Sequence, residues 1–208
     1  MKGSDAAAVR KRVESMPSRS FVSVRDLELP VEGRRMSKRA VEVELSRLAK
    51  AGIVRGVRKG LYWKGVETPS GMLPPTSTEL GLAVGGPGTG PADVSAARFL
   101  GLTTQVPVVV DMAVPGRAPS PTADVVFHAR PYSRATSRLR PAEVAVLEVL
   151  RIWPSGVEED WEFLAERVTA LCGMGTIRPE CVSEAADQEH APVVRDLWRE
   201  LEQLVTAS

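Results

Sequence analysis

The chain has 208 residues, of which 43% are hydrophobic and 25% charged, and its formal net charge is +1, which is typical of a globular protein rather than a disordered one. Its two cysteines, Cys172 and Cys181, are too few for a disulfide scaffold. The longest mainly apolar run, from Val106 to Val114, is too short to cross a bilayer, and no apolar stretch of a signal peptide follows the first residues. Disulfide-stabilised and membrane-spanning classes are therefore excluded, and the cytoplasm is the expected compartment.

The near-neutral total hides a strong separation of charge along the chain. Residues 1–65 carry 16 Lys+Arg against 7 Asp+Glu, whereas residues 66–208 carry 11 against 19. All the lysines lie in the first 64 residues. A basic block with helical patterning favours a polyanionic partner, because each phosphate that is neutralised releases a condensed counterion.

The basic block begins with two helices and a short β-prone segment. Residues 5–16 predict a first helix that Pro17 ends, and residues 21–24 are β-prone. Ser23 is a candidate N-cap for a short second helix over residues 25–29.

The third helix has the clearest signal in the chain. Ser37 is a good N-cap, and the apolar residues Val41, Leu45 and Leu48 recur at helical spacing within residues 38–51. Gly52 supplies a left-handed stop. Two short β segments, residues 53–57 and 61–63, then form a hairpin whose tip is basic.

This order of elements predicts a winged helix-turn-helix that binds DNA. The N-terminal turn of the third helix would enter the major groove, while the hairpin would lie along the phosphates or in the minor groove. The candidate base-reading residues are Ser37, Lys38, Arg39 and Glu42. The candidate backbone contacts are Arg34, Arg35, Arg47, Arg58, Lys59 and Lys64. The alternative for each of these residues is a solvated surface charge, and Tyr62 and Trp63 are expected to be core rather than base-stacking residues.

The middle of the chain is rich in proline and glycine, which marks a domain boundary after about residue 66. Residues 77–84 and 92–100 predict two short helices on either side of the glycine run 85–90. This run lacks the lysine and hydroxyl residue of a phosphate-binding loop, so a tight turn into a helix is expected instead.

Two segments carry a family resemblance. The run from Pro91 to Ala97, continued by Leu100-Gly101-Leu102-Thr103-Thr104-Gln105-Val106-Pro107, resembles the signature of AbiEi-like antitoxins, the transcriptional-regulator halves of bacterial type IV toxin–antitoxin systems. The stretch from Leu45 to Arg55, followed by Lys59-Gly60-Leu61-Tyr62, is similar to the winged helix and wing of that family. The resemblance covers about residues 5–130, and nothing after about residue 155 matches it.

The resemblance implies a function that charge and periodicity do not reveal. It implies an antitoxin that represses its own operon by binding promoter repeats in double-stranded DNA and that counteracts a nucleotidyltransferase-like toxin, commonly without a stable complex with it. Because a lone winged helix has little interface for tight specific binding, pairing on repeated half-sites is expected. No cofactor and no membrane partner are expected.

The acidic block has mixed patterning. Residues 106–112 and 124–129 are β-like, and helices are predicted over 141–152, 158–171 and 192–205. Four arginines at positions 130, 134, 138 and 140 favour a solvated loop, with a second DNA or toxin contact as the alternative. The acidic residues 158–162 are explained by the helix macrodipole.

No catalytic or metal-binding constellation stands out in this block. His128 and His190 are far apart in sequence, and His128 beside Phe127 is expected to be packed. The spacing of the two cysteines is not that of a structural zinc site. Neither an enzyme active site nor a bound metal is therefore expected.

Together these observations predict an α+β protein in which a winged helix-turn-helix domain over residues 1–66 precedes a mixed α/β domain over residues 67–208 with a helical tail. The expected function is that of a DNA-binding antitoxin and autorepressor. The alternative is a protein-interaction module that neutralises a toxin by direct complex formation through its acidic C-terminal domain. A further alternative is that the acidic domain folds back and competes with DNA for the basic one.

Overall fold

A computed structural model describes residues 2–28 and 37–207 and divides the chain into two compact units. Unit 1 comprises Met1–Pro75 and unit 2 comprises Thr76–Ser208. Helices and small sheets occur in both units, so the α+β class predicted from the sequence is confirmed at that level. Among the described residues, no helix combines the length and apolar character needed to cross a membrane.

The described residues of unit 1 form three helices and a three-stranded antiparallel sheet whose strand order is β1-β3-β2. In chain order its elements are α1 (Lys2–Ser15), β1 (Ser20–Ser23), α2 (Val24–Glu28), α3 (Lys38–Lys50), β2 (Arg55–Arg58), β3 (Leu61–Lys64), β4 (Glu67–Thr68) and β5 (Gly71–Met72). The last two strands form a separate small hairpin.

The ends of α2 and α3 agree with the caps predicted from the sequence. The Ser23 hydroxyl accepts a hydrogen bond from the backbone N–H of Asp26, 3.0 Å away. Ser37 accepts from the backbone N–H of Ala40 at 3.3 Å, which satisfies one of the donors that the first turn of a helix leaves unpaired. After α3, Gly52 adopts a φ of 75°, as expected for a left-handed stop.

One hydrophobic cluster holds the helices of unit 1 together. It combines the apolar stripes of the three helices with residues of the sheet and the loop before it: Val9, Val13, Val22, Val24, Leu27, Val41, Leu45, Leu48 and Val54. The predicted core position of Trp63 is confirmed, since it is 1% exposed and its ring centroid lies 4.7 Å from that of Phe21.

The segment after β3 belongs to unit 1, beyond the boundary expected at residue 66. The indole N–H of Trp63 donates to the backbone oxygen of Leu73 at 2.8 Å, and the backbone N–H of Leu73 donates to the oxygen of Val66 at 2.9 Å. These hydrogen bonds return the chain to β3, and the division between the units falls after Pro75.

Unit 2 begins with a layer of short helices and strands. These are α4 (Ser77–Gly85), β6 (Gly90–Pro91), α5 (Asp93–Leu100), β7 (Val110–Pro115) and β8 (Val125–Arg130), with the strands in the order β6-β7-β8. β6 pairs antiparallel with β7, whereas β7 and β8 are parallel. The loop between these parallel strands, residues 116–124, contains no helix among its described residues.

The first predicted strand of this unit was wrong in its bounds. The prediction covered residues 106–112, but the strand begins at Val110, and the Val106 and Val108 side chains are 71% and 97% exposed. Pro107 has no N–H to donate to a neighbouring strand, so the alternating valines before residue 110 do not signal pairing.

The rest of unit 2 is helical. Its elements are α6 (Ser133–Thr136), α7 (Pro141–Ile152), α8 (Trp161–Gly173), α9 (Pro179–Asp187) and α10 (Pro192–Ala207). The predicted helices over 141–152 and 192–205 are confirmed, and the one predicted over 158–171 begins three residues later, at Trp161. α9 was not predicted. The core of the unit surrounds α7, which contributes Val144, Leu147 and Leu150, all fully buried.

The glycine run before β6 is explained by close packing. A Cβ atom on Gly88, which has a φ of 76°, would lie 2.5 Å from the backbone oxygen of Arg134. A Cβ atom on Gly90 would lie 2.6 Å from the Cβ of Val144 on α7. The glycines therefore form a tight turn against α6 and α7, in line with the turn expected from the sequence.

Candidate nucleic-acid interface

The first turn of α3 projects from unit 1 as an exposed polar surface. The predicted base-reading residues Ser37, Lys38, Arg39 and Glu42 are all exposed. The Ser37 hydroxyl oxygen is engaged as the helix cap, and its O–H remains a donor. Because Val41, Leu45 and Leu48 face the core, steps of 100° per residue turn Arg39 and Glu42 away from it. Lys38 lies nearer the line of Val41 and Leu45 and is exposed at the first position of the helix.

The same rotation exposes a residue that was not among the predicted DNA contacts. Val43 is 45% exposed on the outer face of α3, one turn after Arg39. An apolar side chain on such a face is able to contact the methyl group of thymine. The available signal was its position off the line of Val41, Leu45 and Leu48.

The turn between β2 and β3 forms a second basic element. Arg58 pairs with Leu61 across the hairpin, and Gly60 makes the reversal with a φ of 76°. The backbone oxygen of Gly60 accepts a hydrogen bond from the N–H of Val24 at 3.0 Å, which holds the turn beside the start of α2. Lys59 at the tip is exposed.

An open groove of about 800 Å³ lies between these two elements. It is bordered by α2, the first turns of α3, and the β2–β3 hairpin. Tyr62 borders the groove. The charged lining consists of four cations, Arg25, Lys38, Arg58 and Lys59, and two carboxylates, Glu28 and Glu42. Arg25 was not among the predicted contacts. Tyr62 packs against the hydrophobic cluster of unit 1, as expected of a core residue, but it is half-buried and also borders the groove.

Arg47 lies at the other edge of α3. Its guanidinium is 3.4 Å from the Oε2 atom of Glu44, whose other oxygen lies 3.2 Å from Nε of Arg10 on α1. Glu44 is buried and joins α1 to α3. The Arg47 side chain keeps 65% of its exposure, so its phosphate contact remains a prediction.

Lys64 has a different role from the predicted phosphate contact. Its ammonium donates to the backbone oxygens of Val13, Glu14 and Met16 at 2.9, 2.7 and 2.6 Å. A lysine ammonium has only three N–H donors, and all three are directed at carbonyls at or just after the C-terminal end of α1. We therefore assign Lys64 to capping α1. The predicted contacts Arg34 and Arg35 lie outside the described residues.

Of the four arginines in residues 130–140 that were expected in a solvated loop, Arg138 and Arg140 are exposed, whereas Arg130 and Arg134 are held by carboxylates. Arg134 is fully buried, with Nε 2.6 Å from Glu189 and Nη2 2.7 Å from Glu148. Arg130 binds the Oε1 and Oε2 atoms of Glu148 at 2.8 and 2.6 Å. Arg151 completes the cluster through Glu189. Carboxylates more than ten residues away in sequence thus neutralise Arg130 and Arg134, which were predicted to be solvated.

Two carboxylates of unit 2 are held ionised by arginines. Burial opposes the ionisation of Glu148, but hydrogen bonds from Arg130 and the charges of Arg134, Arg130 and Arg151 outweigh it, so its pKa is lowered. Burial likewise opposes ionisation of Glu143, whose pKa is nevertheless lowered by hydrogen bonds from Arg178 and from the backbone N–H of Arg140.

The expectation that the acidic residues 158–162 occupy the first turn of a helix was wrong for Glu158 and Glu159, because α8 begins at Trp161. Glu158 and Asp160 act instead through individual contacts. Asp160 caps α8 by accepting from the backbone N–H of Phe163 at 2.9 Å. Glu158 accepts from the backbone N–H and hydroxyl of Thr104 at 2.7 and 3.0 Å, which lowers its pKa.

Comparisons with known proteins give little more. No protein-family model matches the chain, and no curated protein matches it. A solved structure of the RV2827C protein from Mycobacterium tuberculosis is similar over 97% of this chain and 77% of that one, at 15% sequence identity and a TM-score of 0.45.

Proposed function

We propose that unit 1 is a winged helix-turn-helix domain that binds double-stranded DNA through α3 and the β2–β3 hairpin. The order α1-β1-α2-α3-β2-β3 supports this proposal, because a hairpin follows the third helix directly and pairs with β1 to form one antiparallel sheet. In such domains the third helix enters the major groove and the hairpin contacts the backbone or the minor groove.

One observation carries the proposal. The exposed first turn of α3 and the basic β2–β3 turn border a single groove, in which Arg25, Lys38, Arg58 and Lys59 outnumber Glu28 and Glu42. A cationic groove attracts a phosphate backbone by counterion release, while the exposed side chains of α3 are able to reach base edges. Arg39 is suited to bidentate contact with guanine, and Glu42 is an acceptor for the amino group of cytosine.

We further propose that the protein is a cytoplasmic antitoxin of the AbiEi type, which represses its own operon at promoter repeats and counteracts a nucleotidyltransferase-like toxin. The support is the resemblance of residues 45–62 and 91–107 to that family. The alternative is that the protein neutralises a toxin in a direct complex through the acidic unit 2, in which Asp and Glu outnumber Lys and Arg.

The primary test is an anisotropy titration of the full chain with the DNA upstream of its own gene, against a scrambled duplex of equal length, at roughly 50 and 200 mM salt. We expect promoter binding in steps that match repeated half-sites, with much weaker and strongly salt-sensitive binding to the scrambled duplex. Equal affinity for both duplexes at both salt concentrations would contradict sequence-specific DNA binding.

The control variant is Lys11→Ala. Lys11 is exposed on α1 and is not among the residues that line the groove, so its removal changes the net charge as much as a groove substitution does. The second arm tests the toxin that the proposal implies, a nucleotidyltransferase-like protein encoded beside this chain. Co-elution of the two as a stable complex in gel filtration would favour direct neutralisation, whereas rescue of growth without co-elution supports the AbiEi-type mechanism.

A further inference from the structure

Three side chains of unit 2 come together although they are distant in sequence. The Nε2 atom of His128 lies 2.7 Å from Oδ1 of Asp111 and 3.5 Å from Oδ2 of Asp93. One ligand atom of each residue lies within 4.8 Å of the other two. His128 is therefore not the packed residue that its neighbour Phe127 led us to expect, because its ring faces two carboxylates.

The sheet and α5 fix this arrangement. In the parallel pairing of β7 and β8, Ala113 is opposite His128, so Asp111 and His128 lie on the same face of the sheet. The backbone N–H of Ala92 donates to the oxygen of Asp111 at 2.9 Å, and the N–H of Asp111 donates to Ser95 Oγ at 3.0 Å. These hydrogen bonds hold Asp93, the first residue of α5, beside β7.

Within the part of the chain that the structure describes, neither carboxylate forms an ion pair with a lysine or an arginine. Arg130, on the same sheet face, acts on Asp93 electrostatically, but its guanidinium is bound at two points by Glu148. The three side chains are also accessible, with exposures of 31% for His128, 27% for Asp111 and 39% for Asp93. The group is thus an open, anionic site that includes one imidazole.

From this geometry we infer that Asp93, Asp111 and His128 bind a first-row divalent cation such as Zn²⁺ or Co²⁺. Ligand atoms about 2.0–2.1 Å from a tetrahedral zinc are roughly 3.3 Å apart, which lies between the two distances from His128. The imidazole selects these ions over Mg²⁺ and Ca²⁺, which prefer oxygen ligands alone. Three protein ligands leave at least one coordination position for water or another small ligand. The inference concerns unit 2 and does not depend on DNA binding.

The test is a Co²⁺ titration of the full chain followed by visible absorption, with Zn²⁺ as competitor. It is done in a Cys172→Ser, Cys181→Ser background, because free thiols also bind these ions. We expect one Co²⁺ per chain, displaced by Zn²⁺ and unaffected by excess Mg²⁺. Failure to bind Co²⁺ would overturn the inference.

Three variants assign the site. His128→Gln and Asp93→Asn are expected to weaken Co²⁺ binding more than about tenfold, since even outer partners of metal ligands affect affinity by that factor. Asn also tolerates the φ of 47° at position 93. His190→Gln, the matched control at the other, exposed histidine, should bind as the parent does.

Stability supplies a readout for each variant. Zn²⁺ should raise the melting temperature of the parent and of His190→Gln, because a ligand that binds only the folded state stabilises it. It should not raise the melting temperature of His128→Gln. Circular dichroism without metal establishes that each variant is folded, and equal Co²⁺ affinity in parent and folded His128→Gln would overturn the assignment.

Discussion

At the scale of single residues, the basic side chains of unit 1 separate into different roles. Lys64 caps α1, and Arg47 forms an ion pair with Glu44. Lys38, Arg39 and Lys59 are exposed on the face that we propose for DNA binding. Sequence position alone does not distinguish a lysine that stabilises a helix end from one that meets a phosphate.

Replacing Arg39 by alanine tests base reading. Removal of a bidentate contact to guanine should cost about 1–3 kcal/mol of binding free energy on the promoter and relax specificity at one base position. The measurement is an affinity for the promoter and for each single-base variant of one half-site. Equal loss on promoter and scrambled DNA would mean that Arg39 does not read a base.

Replacing Lys59 by alanine tests a phosphate contact instead. Affinity should fall for every duplex, and the slope of log affinity against log salt concentration should become shallower by about one unit. The same titrations at several salt concentrations provide this slope, with Lys11→Ala as the charge-matched control. A slope identical to that of the parent argues against contact at the hairpin tip.

At the scale of elements, unit 2 depends on charged side chains that connect its helices to its sheet. Glu148 of α7 binds Arg130 at the end of β8 and Arg134 of α6, while Glu189 after α9 binds Arg134 and Arg151. A buried ion is costly when one partner is missing. The cluster is therefore stable only when all the elements that contribute its side chains are in place.

Substituting Arg134 by methionine tests this cluster. It leaves buried carboxylates with fewer partners, and we expect unfolding free energy to fall by about 3–5 kcal/mol in urea titrations. Arg199→Met is the matched control, because the Arg199–Asp187 pair is 60% and 68% exposed and should contribute about 0–1 kcal/mol. Similar losses for the two variants would show that the buried cluster contributes no more than a surface pair.

At the scale of the whole molecule, charge is distributed so that unit 1 is basic and unit 2 acidic. Unit 1 has 16 Lys+Arg and 8 Asp+Glu, and unit 2 has 11 and 18. The excess of acid in unit 2 is not simply exposed charge, since Glu143, Glu148 and Glu189 are buried against arginines. Those carboxylates connect the stability of the protein to pH.

The lowered pKa values of Glu143 and Glu148 predict a loss of stability in acid. A carboxylate whose folded pKa lies below its unfolded value, about 4.3, binds fewer protons in the folded state. Its stabilising contribution is complete above that pH and is lost as the pH falls through the folded pKa. Unfolding free energy measured from pH 7 to pH 3 should therefore decrease below about pH 4.5.

The variant Glu143→Gln separates this effect from general acid denaturation. It should reduce the steepness of the decline, because glutamine binds no proton. Glu184→Gln, at an exposed position of the same unit, should retain the dependence of the parent. An equally steep decline in Glu143→Gln would contradict the role of that carboxylate.

Sequence by itself determined the features that depend on near neighbours. The caps at Ser23 and Ser37, the bounds of α3 and α7, and the stop at Gly52 follow from apolar spacing and from hydrogen bonds within one helical turn. The charge separation is likewise a property of composition. Each of these is settled within a few residues, so no knowledge of distant contacts is required.

Tertiary structure alone decided how distant residues meet. Lys64 contacts the end of α1, and Arg134 is buried between Glu148 and Glu189. Asp93 and Asp111 lie next to His128. The parallel pairing of β7 with β8 also depends on tertiary structure. The physical reason is that a side chain's exposure and charge partners are set by contacts between segments tens of residues apart, for which local periodicity carries no signal.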